Sequence, residues 1–192
     1  MKNILFLLSL LFAFSCYGQK KKSVSSKSVV SFAKIENLQV EIKNENFQLT
    51  LLDKGKEVDA LVIKKAGDMV PIATKITPFT ANGTQLYLVT WTEKTNTKTD
   101  LKTEDKLVVF SYVYNLATKK EVFFNTQLTN NIVEKVFLDR NKTASETQTR
   151  IRREGYEFSL NPDGTLTQKT AKQLNKWKYD LATDSFIDAK KK

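Results

Sequence analysis

From Asn37 onward the apolar positions fall on every second residue. Leu38, Val40 and Ile42 alternate with Gln39, Glu41 and Lys43, and then Phe47, Leu49 and Leu51 alternate with Gln48 and Thr50. A period of two belongs to an extended strand with one face on a core, and a helix would scatter the same residues around its whole circumference. Turn chemistry separates the runs. Asp53-Lys54-Gly55-Lys56, Asn82-Gly83 and Asn161-Pro162-Asp163-Gly164 supply glycine at positive φ or Asx geometry, which hairpin loops require. About ten short runs follow one another in this way. The expected fold class is therefore all-β, an antiparallel hairpin meander forming a sandwich or barrel of about ten strands.

A small internal echo supports the hairpins. Tyr114-Asn115-Leu116-Ala117-Thr118 and Tyr179-Asp180-Leu181-Ala182-Thr183 each precede another apolar run, Val122-Phe123-Phe124 and Phe186-Ile187. Both read as turns in which the Asx side chain bonds backbone amides about two residues on. Two stretches leave room for one or two short helices. Residues 131–138 place Ile132, Val133, Val136 and Phe137 at helical spacing behind a candidate N-cap, Asn131, and a strand fits them equally. Residues 170–176 (TAKQLNK) could form a turn or two with Ala171 and Leu174 on one side.

Two strands are apolar on both sides. Leu86 and Leu88 face away from Tyr87, Val89 and Trp91, and in 107–114 one row carries Phe110, Tyr112 and Tyr114. Something must cover the second face. A further sheet or helix of the same chain explains that pattern. The functional alternative makes Trp91, Phe110, Tyr112 and Tyr114 a ligand or partner surface. Between these strands, 93–105 (EKTNTKTDLKTED) reads as a long polar connection able to close over such a site.

The N-terminus reads as an address. Met1-Lys2-Asn3 precedes a run of twelve apolar or small residues, Ile4 to Ser15. That is too short to span a bilayer, which takes about 20 residues, and it suits the apolar region of a secretory signal. Residues 1–18 are expected to leave by cleavage after Gly18. Ala13-Phe14-Ser15-Cys16 also resembles a bacterial lipobox, with Ala rather than Leu three residues before the cysteine, so lipidation of Cys16 is the alternative. Either route removes or acylates the only thiol, and no disulfide is expected. The assigned organisation is a signal at 1–18, a Lys/Ser-rich tether at 19–34, one β-rich domain at 35–189 and a basic tail at 190–192.

The net charge of +10 resides largely in those ends. Without Lys2, Lys20, Lys21, Lys22, Lys27, Lys190, Lys191 and Lys192, 23 basic residues face 21 acidic ones. A nucleic-acid binder concentrates its excess on a folded face, so nucleic acid is not an expected partner. Membrane contact is expected only through a lipid anchor or the basic tails. Alternation with Gln, Glu, Lys and Thr across 38–51 also excludes an outer-membrane barrel, whose outward row must be apolar.

Catalytic chemistry is sparse. With no histidine, Ser-His-Asp and Cys-His mechanisms and imidazole metal sites are excluded. No glycine-rich phosphate cradle appears, and Asp180, Asp184 and Asp188 lack the spacing of a calcium loop. No cofactor, metal or catalytic residue is assigned. Glu154 and Glu157, flanking Gly155-Tyr156, form the nearest approach to a carboxylate pair. The densest basic stretch, Arg150, Arg152 and Arg153, is a candidate anion patch, with cross-strand ion pairing as the plainer account. Gly155 suggests a bulge that re-aims Tyr156.

These exclusions leave an exported, non-enzymatic binding or assembly module of a bacterial cell envelope, with an envelope protein or glycan as partner. The alternative is a β-barrel carrier enclosing a small apolar or sugar-like ligand, with Trp91, Tyr112 and Tyr114 near its lining. A third class is a carboxylate-based hydrolase working through Glu154 or Glu157.

Overall fold

A computed structural model describes residues 30–190. The signal at 1–18 with Cys16, the tether lysines Lys20, Lys21, Lys22 and Lys27, and the tail residues 191–192 lie outside the described residues. The rest is all-β, with thirteen strands in three antiparallel sheets and no helix among the described residues. Every sheet is a pure meander in which sequential strands pair.

The N-terminal sheet comprises β1 (Val30–Ile35), β2 (Leu38–Lys43), β3 (Asn46–Asp53) and β4 (Lys56–Lys65). The central sheet comprises β5 (Ile72–Ala81), β6 (Thr84–Lys98), β7 (Lys102–Asn115), β8 (Lys120–Phe137) and β9 (Ser145–Gly155). The C-terminal sheet comprises β10 (Glu157–Leu160), β11 (Leu166–Lys169), β12 (Leu174–Asp180) and β13 (Ser185–Asp188). The predicted turns sit where expected. Lys54-Gly55 and Asn82-Gly83 join β3 to β4 and β5 to β6 with both residues at positive φ, the geometry of a two-residue hairpin.

Doubly apolar strands are explained by two cores that share one sheet. Val89, Trp91 and Tyr114 pack with Leu38, Val40, Phe47 and Leu49 of the N-terminal sheet. On the opposite face Leu86, Leu88, Val113 and Val122 pack with Leu166, Tyr179 and Phe186 of the C-terminal sheet. The three sheets form open layers, sandwich-like, with no closed barrel among the described residues.

Several expectations are corrected. The strand count is thirteen, because the C-terminal strands of four residues are too short for periodicity to register. β1 occupies residues 30–34 of the stretch read as tether, held by Phe32 packing edge-on to Phe47 at 6.3 Å. Residues 131–138 are not helical. β8 is bonded there to β7 on one side and β9 on the other, and these ladders override helical spacing. Glu134 on this strand is paired with Arg150 of β9 at 3.1 Å. Residues 170–173 form a turn in which Thr170 Oγ1 accepts the amides of Lys172 and Gln173, and β12 starts at Leu174.

The supposed polar loop at 93–105 is also strand. β6 and β7 continue as a ladder to Lys98 and Thr103, with Asn96 donating to Asp105 at 2.6 Å. Neither smaller sheet contributes to the packing clusters beyond the proximal half of the central sheet. A single-layer ribbon needs no apolar row, so threonine and charged residues carry it and hydropathy reads it as a loop. Solvent exposure of the polar row in 38–51 is only partly observed. Glu41, Gln48 and Thr50 are buried, and the Glu41 carboxylate accepts from Thr50 Oγ1 (2.8 Å), Gln39 Nε2 (2.5 Å) and Gln48 Nε2 (3.3 Å).

Candidate functional site

β9 accompanies β8 only from Phe137 to Gln127, which pairs with Gly155. At Gly155, φ +78°, the chain leaves the central sheet and enters β10 of the C-terminal sheet. Gly155 is thus a change of sheet rather than a bulge within a strand. Beyond it, from Lys120 to Thr126, β8 has β7 on one side, with a register shift between Glu121 and Phe123, and among the described residues no strand on the other. The stretch lines a groove of about 650 Å³, walled by Gly155, Tyr156, Gln168 and Trp177.

A chain of buried amides fixes that wall. Trp177 Nε1 donates to Gln168 Oε1 (2.9 Å), Gln168 Nε2 to Asn125 Oδ1 (2.8 Å), and Asn125 Nδ2 to the Tyr156 carbonyl (3.0 Å). Every polar atom in this relay has a partner, as burial requires. Phe123 faces the C-terminal sheet and meets Trp177 (5.7 Å), Phe186 (5.6 Å) and Phe158 (6.0 Å). Phe124 faces the other way, packs against Tyr112 at 6.0 Å and remains 61% exposed.

Glu121 is the one charged residue lining the groove. Partial desolvation by the groove walls pushes its carboxyl up, although the residue is exposed. The two preceding lysines are engaged elsewhere: Lys119 pairs with Asp59 at 2.8 Å, and Lys120 Nζ donates to the carbonyls of Thr183 (3.1 Å) and Asp184 (2.9 Å). Glu121 has no ion pair among the described residues. Burial likewise pushes the Tyr112 and Tyr114 hydroxyls up, and the nearby Glu121 charge adds to both.

The residues singled out in the sequence fare unequally. Trp91 and Tyr114, offered as a ligand or partner surface, are 1% and 2% exposed and belong to the core between the N-terminal and central sheets. Their faces are covered by the N-terminal sheet, with Phe47 edge-on to Trp91 at 5.1 Å. Phe110 stacks on Trp91 at 4.8 Å and Tyr112 meets it at 5.0 Å; both are half-buried. Trp91 Nε1 donates to Glu93 at 2.8 Å, and Glu93 pairs with Lys64 of β4, which ties the two sheets together.

The arginines do not form one patch. By register Arg150 and Arg152 share a face and Arg153 points to the other. Arg150 pairs across strands with Glu134 of β8, whereas Arg152 pairs along its own strand with Glu154 at 2.5 Å, so cross-strand pairing accounts for Arg150 alone. Glu154 and Glu157 reach one hollow of about 590 Å³ together with Arg153, Lys169 and Lys172.

Asp180 bonds its own turn, as the echo implied: its Oδ1 accepts the Ala182 amide, matching Asn115 Oδ1 and Ala117. The two echo turns abut. Asp184 of the second turn accepts from Asn115 Nδ2 (2.9 Å), Thr118 Oγ1 (2.7 Å) and the Tyr179 hydroxyl. Phe123, Phe124, Trp177 and Glu121 were missed as a site. The signal for them was the pair of adjacent aromatics, which a strand must send to opposite faces.

Comparison with protein-family models, with curated proteins and with solved structures returns no match.

Proposed function

We propose that this chain is a non-enzymatic binding module, exported to a bacterial cell envelope, whose recognition surface is the groove beside the unpaired stretch of β8. One observation carries the reading: a strand edge bearing Phe123 and Phe124, one of them largely exposed, is left open beside a wall held rigid by the Asn125–Gln168–Trp177 relay. Binding sites combine apolar bodies with a few fixed polar groups, and this groove has both. The carrier alternative needs a lumen, whereas the tyrosine and tryptophan meant to line it pack as core between open sheets. The hydrolase alternative needs carboxyls free to divide acid and base roles, and Glu154 is held by Arg152. Export rests on the short apolar run at residues 4–15, with a processed N-terminus or an acylated Cys16 as its product.

Native mass spectrometry of the protein purified from its own envelope tests this. A polypeptide or glycan should stay bound to the wild type and be lost from Phe124→Lys, and the mass should report cleavage after Gly18 or acylation of Cys16. A small molecule released on denaturation would replace this reading with the carrier. An unbound protein of unchanged mass, signal included, would overturn it.

A further inference from the structure

Resting on the reading above, we propose that the occupant of the groove is a single extended segment of another polypeptide. It adds as a strand to β8, with a lysine or arginine against Glu121 and apolar side chains at the flanking alternate positions.

The backbone argues first. Lys120 to Thr126, about 20 Å of extended chain, presents a row of amides and carbonyls on the side that β9 has left. Unpaired strand edges recruit further strands, and folded proteins usually protect them with charge, proline or bulges. Both outer edges of this sheet are protected in that manner. β9 carries Glu146, Arg150, Arg152, Arg153 and Glu154, and β5 has a register shift after Ile72 and Pro78 within it. The inner stretch of β8 carries Lys120, Glu121 and a register shift between Glu121 and Phe123, but from Phe123 to Thr126, Phe-Phe-Asn-Thr, it has neither charge nor proline.

Side chains agree with the backbone. Alternate residues of an added strand would fall beside Phe124 and Tyr112 on one face and beside Phe123 and Trp177 on the other, the pattern by which strand addition gains specificity. Charge selects the chemistry. Glu121 is the only charge in the groove, and Lys119 and Lys120 are committed to Asp59 and to the Thr183 and Asp184 carbonyls. A cation brought by the partner completes it. A second copy of this chain pairing through the same edge fits less well, because it brings its own Gly155–Tyr156 crossover alongside β8 and another Glu121 into the same groove.

The test uses the full processed chain and a heptapeptide library with Val, Ile or Phe at alternate positions and all residues between, read by affinity selection and by Trp177 fluorescence in a Trp91→Phe background. Selected peptides should carry Lys or Arg between the apolar positions. N-methylating one alternate set of their amides should weaken binding on the order of tenfold or more, because that set faces β8, while methylating the other set should leave it unchanged. Glu121→Arg, an exposed position, should switch the selected residue to Asp or Glu. Equal tolerance of both methylated sets would overturn strand addition while leaving a side-chain binding groove standing. Failure to enrich any peptide over the Phe124→Lys protein would overturn it as well, and native mass spectrometry would still decide separately whether the groove binds another class.

Discussion

Gly155 occupies a position that no other residue fits. Its φ is +78°, and an added Cβ would lie 2.0 Å from the Thr126 carbonyl oxygen. Gly83 has nearly the same φ, +79°, yet a Cβ there would meet nothing within 4 Å. The pair separates backbone strain from collision. Gly83→Ala should cost about 1 kcal/mol, and Gly155→Ala about 3 kcal/mol or more, read as the shift in urea midpoint at constant slope. Asp184 gives a second prediction at this scale. The Tyr179 hydroxyl, then Thr118 and Asn115, hold its carboxyl below the usual range. A lowered folded pKa contributes stability that is complete above about pH 4, near the unfolded value, and disappears as pH falls through the folded one. The melting-temperature gap between wild type and Asp184→Asn should therefore be constant from pH 7 to about pH 5 and close below pH 4. Glu121 has the opposite sign. Partial desolvation raises its carboxyl, so ionisation works against folding, and that cost grows as pH rises through the window between the unfolded and folded values. Because the side chain is exposed and solvent screens most of that cost, Glu121→Gln should raise the melting temperature only slightly at pH 7 and leave it unchanged at pH 4. A groove that keeps an unpaired carboxylate gives up a little stability.

Among the strands, β6, β7 and β8 each have two regimes. Their proximal parts, such as Ser111 to Asn115 of β7, are sandwiched between sheets, while their distal parts, such as Lys102 to Leu107, belong to a single-layer ribbon edged by the fully exposed β9. Local opening follows buried contacts, so distal amides should exchange through fluctuations that leave the cores intact, while proximal amides require global unfolding. Native-state hydrogen exchange in low urea should show denaturant-independent exchange for the distal set and denaturant-dependent exchange for the proximal set. The same division explains what the sequence disclosed. Where a second layer exists, its imprint is legible: alternation in β2 and β3, and loss of alternation in β6 and β7 because both faces are covered. The turns were legible too, since Asn-Gly and the Asx-Leu-Ala-Thr echo act through local geometry. The ribbon was not, because threonine, lysine and glutamate on an uncovered strand carry no periodic signal. The groove was legible only as two adjacent phenylalanines. Its opening depends on where β9 ends, and its wall on Gln168 and Trp177, which lie more than 40 residues from Asn125 along the chain.

For the molecule as a whole, the arrangement places one sheet between two others, so each core draws part of its side chains from the same two strands. Val89, Trp91 and Tyr114 of β6 and β7 serve one core, and Leu86, Leu88 and Val113 of the same strands serve the other. Neither outer sheet can leave without exposing the face of strands that the other still requires, and four-stranded meanders of this size have little to bury alone. Three consecutive hairpin sheets, which topology alone would allow to act as separate units, should therefore unfold as one. The two tryptophans report the two cores independently, Trp91 within the N-terminal packing and Trp177 within the C-terminal packing. In urea, fluorescence of Trp177→Phe, which retains Trp91, and of Trp91→Phe, which retains Trp177, should each follow a single transition that coincides with far-ultraviolet circular dichroism of the same protein. Leu166→Ala, in the C-terminal core, should lower the midpoint reported by Trp91 as much as the one reported by Trp177, by about 2–5 kcal/mol of stability. If Leu166→Ala moved only the Trp177 signal, the central sheet would be holding two independent cores, and the groove at the junction of β8 and the C-terminal sheet could open without disturbing the rest of the fold.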